Sequence, residues 1–137
     1  ADVVAVAQRW LGTPYQHQAS CEGAGADCLG LVRGIWREVC GEEPAVVPAY
    51  TLDWSEAAKD ERLLKEMERY FQPVASEALA GDVLVFRLRL VAKHLAVVSA
   101  PRNIIHSYWG RGVVETPLSP AWERRIAGVF RFPDRSN

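Results

Sequence analysis

The chain has 137 residues, of which 49% are hydrophobic and 24% charged, and its formal net charge is −1. That is the size and balance of one soluble globular domain with a real core. The near-neutral charge argues against nucleic acid or an anionic membrane surface as the main partner, and no run of about 18 apolar residues offers a membrane-inserting span.

Asp2 to Leu11 reads as a first helix, with Val3, Val6, Ala7, Trp10 and Leu11 on one face and Gly12 as its C-cap. Gly12-Thr13-Pro14-Tyr15 breaks that helix and turns the chain. Cys21 to Ala26 reads as a loop of small residues that cannot itself pack a core. A second helix follows, with Cys28, Leu31, Val32, Ile35, Trp36 and Val39 at the spacing of one buried face. Asp27 is placed to cap its start and Gly41 to end it. Gly41 to Tyr50 is an extended loop, and Asp53-Trp54-Ser55-Glu56 resembles a capping box that opens a third helix over Ser55 to Phe71.

After Pro73 the pattern changes from helical spacing to short apolar runs bounded by Gly, Pro or Asn. Val83–Phe86, Leu95–Ser99, Ile104–Tyr108, Val113–Thr116 and Ala127–Phe132 are strand candidates, with Arg87 to Lys93 as a basic hairpin tip. Helices followed by an antiparallel meander indicate an α+β fold. No repeat or linker divides the chain, so residues 1–137 are expected to form a single domain.

Chemistry concentrates at Cys28. A helix N-terminus presents unpaired N–H groups and a partial positive charge, which favour thiolate and can bind an oxyanion. A cysteine at that place also fits the role of a small core hydrophobe, and only a base within reach separates the two readings. The chain has three cysteines and three histidines. A bridge between Cys21 and Cys28 would silence the nucleophile and is not expected, Cys40 reads as structural, and no close pair of ligands suggests a metal. His94 and His106 fall on consecutive strand candidates. They are expected to touch on one sheet face and, if the cysteine helix packs on that face, to line up with Cys28 as base and orienter. His17 reads as a loop residue.

Gly12-Thr13-Pro14-Tyr15, Ala26-Asp27-Cys28-Leu29-Gly30-Leu31-Val32, Gly81-Asp82-Val83-Leu84-Val85-Phe86, His94-Leu95-Ala96-Val97-Val98 and Ile105-His106-Ser107, in that order, resemble the NlpC-type cell-wall peptidases. These are papain-like cysteine peptidases of bacteria and their phages, and the resemblance spans nearly the whole chain. Leu29 after the cysteine and the insertion at Pro48 to Trp54 look more like the phage tail-associated branch.

The resemblance implies a papain-like arrangement, with N-terminal helices packed on a C-terminal antiparallel sheet of five to six strands and the nucleophile at a helix N-terminus. It implies that Cys28 attacks an amide of the peptidoglycan stem peptide, commonly the bond between D-γ-glutamyl and diaminopimelate. His94 would be the base, His106 its orienter, and Tyr15 an oxyanion donor beside the Cys28 N–H; no cofactor or metal is implied. Trp109 and Trp54 are candidates to wall the substrate groove, and Arg111 to meet a substrate carboxylate, although a hairpin-tip arginine in solvent is the blander reading.

The N-terminus lacks a basic region leading into an apolar stretch with a cleavage site, so no signal peptide is expected. The expected route is synthesis in the cytoplasm and delivery to the wall by a virion-like particle, with tail or hub proteins as partners. Two other functions stand beside this one: a catalytically weak plug subunit of a tail tip, and an acyltransferase using the same thioester chemistry.

Overall fold

The computed structural model describes residues 2–44, 62–88 and 91–133. Helix α1 spans Val3–Arg9, capped by Asp2, whose carboxylate accepts from Val4 N–H at 3.2 Å. A small hairpin of β1 (Ser20–Cys21) and β2 (Gly25–Ala26) precedes α2 (Cys28–Val39). Helix α3 covers Arg62–Tyr70; its expected first turns from Ser55, together with Trp54 and the Pro48–Trp54 insertion, lie outside the described residues. The remaining elements are β3 (Gln72–Pro73), β4 (Val83–Leu88), β5 (Val91–Ala100), β6 (Asn103–Tyr108), β7 (Gly112–Pro117), α4 (Pro120–Glu123) and β8 (Ile126–Arg131).

The strands from β3 onward form one six-stranded antiparallel sheet in the order β3-β8-β4-β5-β6-β7. Residues expected in a basic hairpin tip, Arg87 and Leu88 on one side and Val91 to Lys93 on the other, instead extend β4 and β5. Period-two alternation divides the strands between two cores. Val83, Val85, Leu95, Val97, Ile105 and Val113 pack with Leu31, Val32, Ile35 and Trp36 of α2. Leu84, Phe86, Ala96, Val98 and Ile104 face the other way, toward Leu118 and Trp122.

Helix α2 is the buried pivot of the first layer. Asp27 caps it, accepting from Gly30 N–H and Gln18 N–H at 2.7 Å each. Gly30 lies so close to the Ala19 carbonyl that a Cβ would collide with that oxygen. The helix ends at Cys40, and Gly41 follows with φ +95°, a conformation open to glycine at little cost. Trp36, Phe71 and Phe132 close the far end, with ring centroids 5.0 to 6.3 Å apart. At the start of β4, the buried Asp82 accepts from Arg131 at 2.8 and 2.9 Å, tying the entry of that strand to β8.

Candidate active site

The loop before α2 is held from both sides. Tyr15 bridges to Ala26, Ala26 N–H donates to the Pro14 carbonyl at 3.0 Å, and Gln16 N–H donates to the Ala26 carbonyl at 3.2 Å. Across the gap, Val113 N–H donates to the Thr13 carbonyl at 2.9 Å and Gly12 N–H to the Val113 carbonyl at 3.0 Å. The stretch from Gly12 to Tyr15 therefore packs along the edge of β7 and delivers Tyr15 next to the residues leading into Cys28.

Cys28 is half-buried, and all three cysteines are free thiols. Its sulfur lies on the main chain of β5 that carries His94. The thiol donates to the Lys93 carbonyl at 4.0 Å, and Leu95 N–H points at the sulfur. His94 Nε2 is 2.8 Å from His106 Nδ1, and His106 Nε2 is 3.2 Å from the Thr116 hydroxyl oxygen.

Two details differ from the sequence expectation. The Val97–Ile105 pairing makes His94 and His106 diagonal neighbours rather than direct cross-strand partners, a separation that ring side chains span. Alternation also sets both imidazoles on the sheet face opposite α2, among Phe86 and Trp122, while the sulfur approaches the same stretch of β5 from the helix side. Of the two ring nitrogens, Nδ1 sits nearer its own main chain, the part of β5 the sulfur touches. Nε2 is taken by His106.

The electrostatics also depart from expectation. Burial, then the Asp27 carboxylate, pushes the Cys28 thiol up to about 12, against the hydrogen bonds to the sulfur from main-chain N–H groups that favour thiolate. The helix N-terminus does not produce a thiolate here. Its cap is a carboxylate that occupies the Gly30 N–H and sets a negative charge beside the sulfur. Burial lowers the basicity of His94, and the neighbouring His106 lowers it further. His106 is lowered by burial and then by the Arg111 guanidinium. At neutral pH the resting site is thus a neutral thiol beside neutral imidazoles. Tyr15 is pushed up to about 12 by burial, then by Asp27 and Cys28, so its hydroxyl keeps its proton.

Tyr108 ends β6 and Trp109 follows it in the β6–β7 turn; Trp109 is 72% exposed, and Tyr108 reaches both imidazoles with centroids at 6.0 and 5.7 Å. Arg111, on the same turn, is exposed. His17 is part-buried, with Nδ1 3.9 Å from the Asp27 carboxylate. Trp122 is, with Tyr108 and Thr116, a site residue that sequence reasoning missed. It stacks on His94 at 5.2 Å and 28° and meets His106 edge-on at 5.6 Å, covering the bond between them. The Ser119-Pro120 pair, a cap followed by proline at the first helical position, was the one available signal.

The α+β fold, with helices packed on a six-stranded antiparallel sheet, matches that of solved NlpC/P60 structures. An NlpC/P60 family protein from Bacillus cereus superposes with a TM-score of 0.67 and 26% identity, covering 96% of this chain and 39% of that one. The NlpC/p60 domain of peptidoglycan hydrolase SagA matches with a TM-score of 0.64 and 21% identity, covering 96% and 97% of the two chains. The peptidoglycan hydrolase RipB from Mycobacterium tuberculosis, 16% identical with a TM-score of 0.63, shares the fold over 97% of this chain and 64% of its own. Among curated proteins, murein DD-endopeptidase MepS/murein LD-carboxypeptidase of Escherichia coli K12 is 26% identical over 128 residues, 93% of this chain. The chain spans 60% of that relative's length. No family model matches the chain.

Proposed function

We propose that this chain is a cysteine peptidase that hydrolyses an amide bond in peptidoglycan stem peptides. The observation that carries the reading is the contact of the Cys28 sulfur with the main chain at His94, whose imidazole is bonded through Nε2 to His106. A solved relative described as a peptidoglycan hydrolase and a curated one described as a murein endopeptidase support the substrate class.

With thiol and imidazole both neutral at rest, activation is general-base catalysis rather than use of a standing ion pair. The thiol turns from the Lys93 carbonyl toward His94 Nδ1 and gives up its proton as the sulfur attacks the amide carbon. Hydrogen bonds of this kind are often long in free enzymes and tighten with substrate. The Cys28 N–H and the protonated Tyr15 hydroxyl supply the oxyanion donors. His94 then returns the proton to the departing amine, leaving a thioester on Cys28. A water, deprotonated by His94, adds to the thioester carbon; the C–S bond breaks, the acid leaves, and His94 returns the proton to the Cys28 sulfur. The Cys28–His94–His106 set carries these proton transfers.

Trp109 supplies an exposed wall for the substrate, and Arg111 a cation for a stem-peptide carboxylate. For the bond, the reading is D-γ-glutamyl–diaminopimelate; the curated relative's name instead describes DD-endopeptidase and LD-carboxypeptidase activity. All three bonds call on the same chemistry, so purified muropeptides of defined sequence decide by fragment mass. A new N-terminal diaminopimelate supports the assignment, and cleavage only at a D-alanyl bond moves it to the relative's reaction. The reading extends to one domain over residues 1–137 delivered by a phage-like tail, supported by Leu29. Detection of the chain in purified virion-like particles tests that extension, and its absence from them removes it.

A further inference from the structure

His94, His106 and Thr116 stand on three successive strands, β5, β6 and β7. Ile104 pairs with Thr116 and His106 with Val114, so Thr116 is diagonal to His106 just as His106 is diagonal to His94. The result is an unbroken chain of two hydrogen bonds, 2.8 Å from His94 Nε2 to His106 Nδ1 and 3.2 Å from His106 Nε2 to Thr116 Oγ1. We propose that Thr116 is a positioning residue. Its hydroxyl accepts from His106 Nε2–H and holds His106 in the one tautomer that leaves Nδ1 bare toward His94. The proposal rests on the peptidase reading above.

A neutral imidazole carries one N–H. Once His94 has taken the thiol proton on Nδ1, both of its nitrogens carry hydrogen, and the Nε2–H faces His106 Nδ1. That atom must be an acceptor, which puts the only hydrogen of His106 on Nε2, facing Thr116. A hydroxyl can donate or accept. Were Thr116 to donate, His106 would carry its hydrogen on Nδ1 and force that of His94 onto its own Nδ1, the atom meant to receive the thiol proton. Thr116 is half-buried, so its own hydrogen can turn to water while the oxygen accepts. The proton balance is short: the S–H proton goes to His94 Nδ1, the sulfur electron pair forms the S–C bond, and the same proton leaves with the amine. None passes to His106 or Thr116.

The test is nitrogen-15 NMR of the imidazoles near neutral pH, beside steady-state kinetics on muropeptides. In the wild type, a hydrogen on His106 Nε2 and a bare His94 Nδ1 are expected. Thr116→Val should lose this single tautomer and lower kcat by about 10- to 100-fold, since a buried N–H is left without an acceptor, with KM unchanged. Thr116→Ser, which keeps the oxygen, should restore both. A wild-type spectrum with the His106 hydrogen on Nδ1 overturns the proposal whether or not the valine variant folds, as does a folded Thr116→Val with wild-type tautomers and kcat. If the wild type cleaves no muropeptide, the peptidase reading fails, while the spectrum still decides the tautomer.

Discussion

Ser107 Oγ donates to the Ala26 carbonyl at 2.6 Å, and both residues are buried. One hydrogen bond therefore ties the strand residue after His106 to the loop residue two before Cys28, across 81 positions of sequence. It fixes the second histidine's strand against the approach to the nucleophile, the two parts of the site that no local element connects.

Ser107→Ala should lower stability by about 1 kcal/mol, the net worth of one such bond. The Ala26 carbonyl keeps a second donor in Gln16 N–H, so the cost stays at the low end. Chemical denaturation checks it, and an unchanged midpoint would make the tie dispensable.

The thiol of Cys28, held up to about 12 by burial and Asp27, should be a poor nucleophile at rest. Because its folded-state value is raised, the thiolate fraction at any given pH is smaller than for a free thiol near 8.5. Iodoacetamide labelling of Cys28, followed by peptide mass, should still be rising beyond about pH 9. The exposed Cys21 serves as the internal comparison. A labelling plateau below about pH 8 would mean that the helix N-terminus outweighs burial after all.

Gly30 sits in the first turn of α2 against the Ala19 carbonyl, and Ser20 Oγ donates to the Gly30 carbonyl at 2.6 Å. Gly30→Ala forces the β1 segment away from the helix start. It should cost about 3 kcal/mol or more and depress activity by misplacing Cys28. Thermal unfolding with parallel assays tests this, and a variant as stable as wild type would show that the close approach is not needed.

Much of this site is legible in the sequence because it rests on local chemistry. The Asp27 cap, the apolar stripe of α2, the Gly41 stop and the strand runs bearing His94 and His106 all follow from spacing and residue type. What escaped depends on contacts distant in the chain. Helix α4 has four residues, too few for a periodic signal, so Trp122 could not be assigned to the histidine face. The Cys28 electrostatics reverse because burial of the sulfur, and after it the charge of the Asp27 carboxylate that also caps the helix, outweighs the helix N-terminus, and only coordinates weigh these against one another. The placement of the imidazoles opposite α2 depends on strand register, which a one-residue slip would invert. Trp54 lies outside the described residues.

Arg111 lowers the basicity of His106 through its positive charge. Arg111→Gln should therefore raise the pH at which His106 titrates, measured by NMR. If Arg111 also meets a substrate carboxylate, the same variant should raise KM for anionic muropeptides about tenfold, the loss of one charge-assisted contact. A shifted titration with unchanged KM would keep the electrostatic role and remove Arg111 from the substrate site.

The most direct measurement is digestion of purified murein by the wild-type protein and by Cys28→Ala, with the released fragments analysed by mass. New amine termini should appear with the wild type and be absent with the variant. Equal release by both, or none by either across neutral pH, would contradict a peptidase built on the Cys28 sulfur.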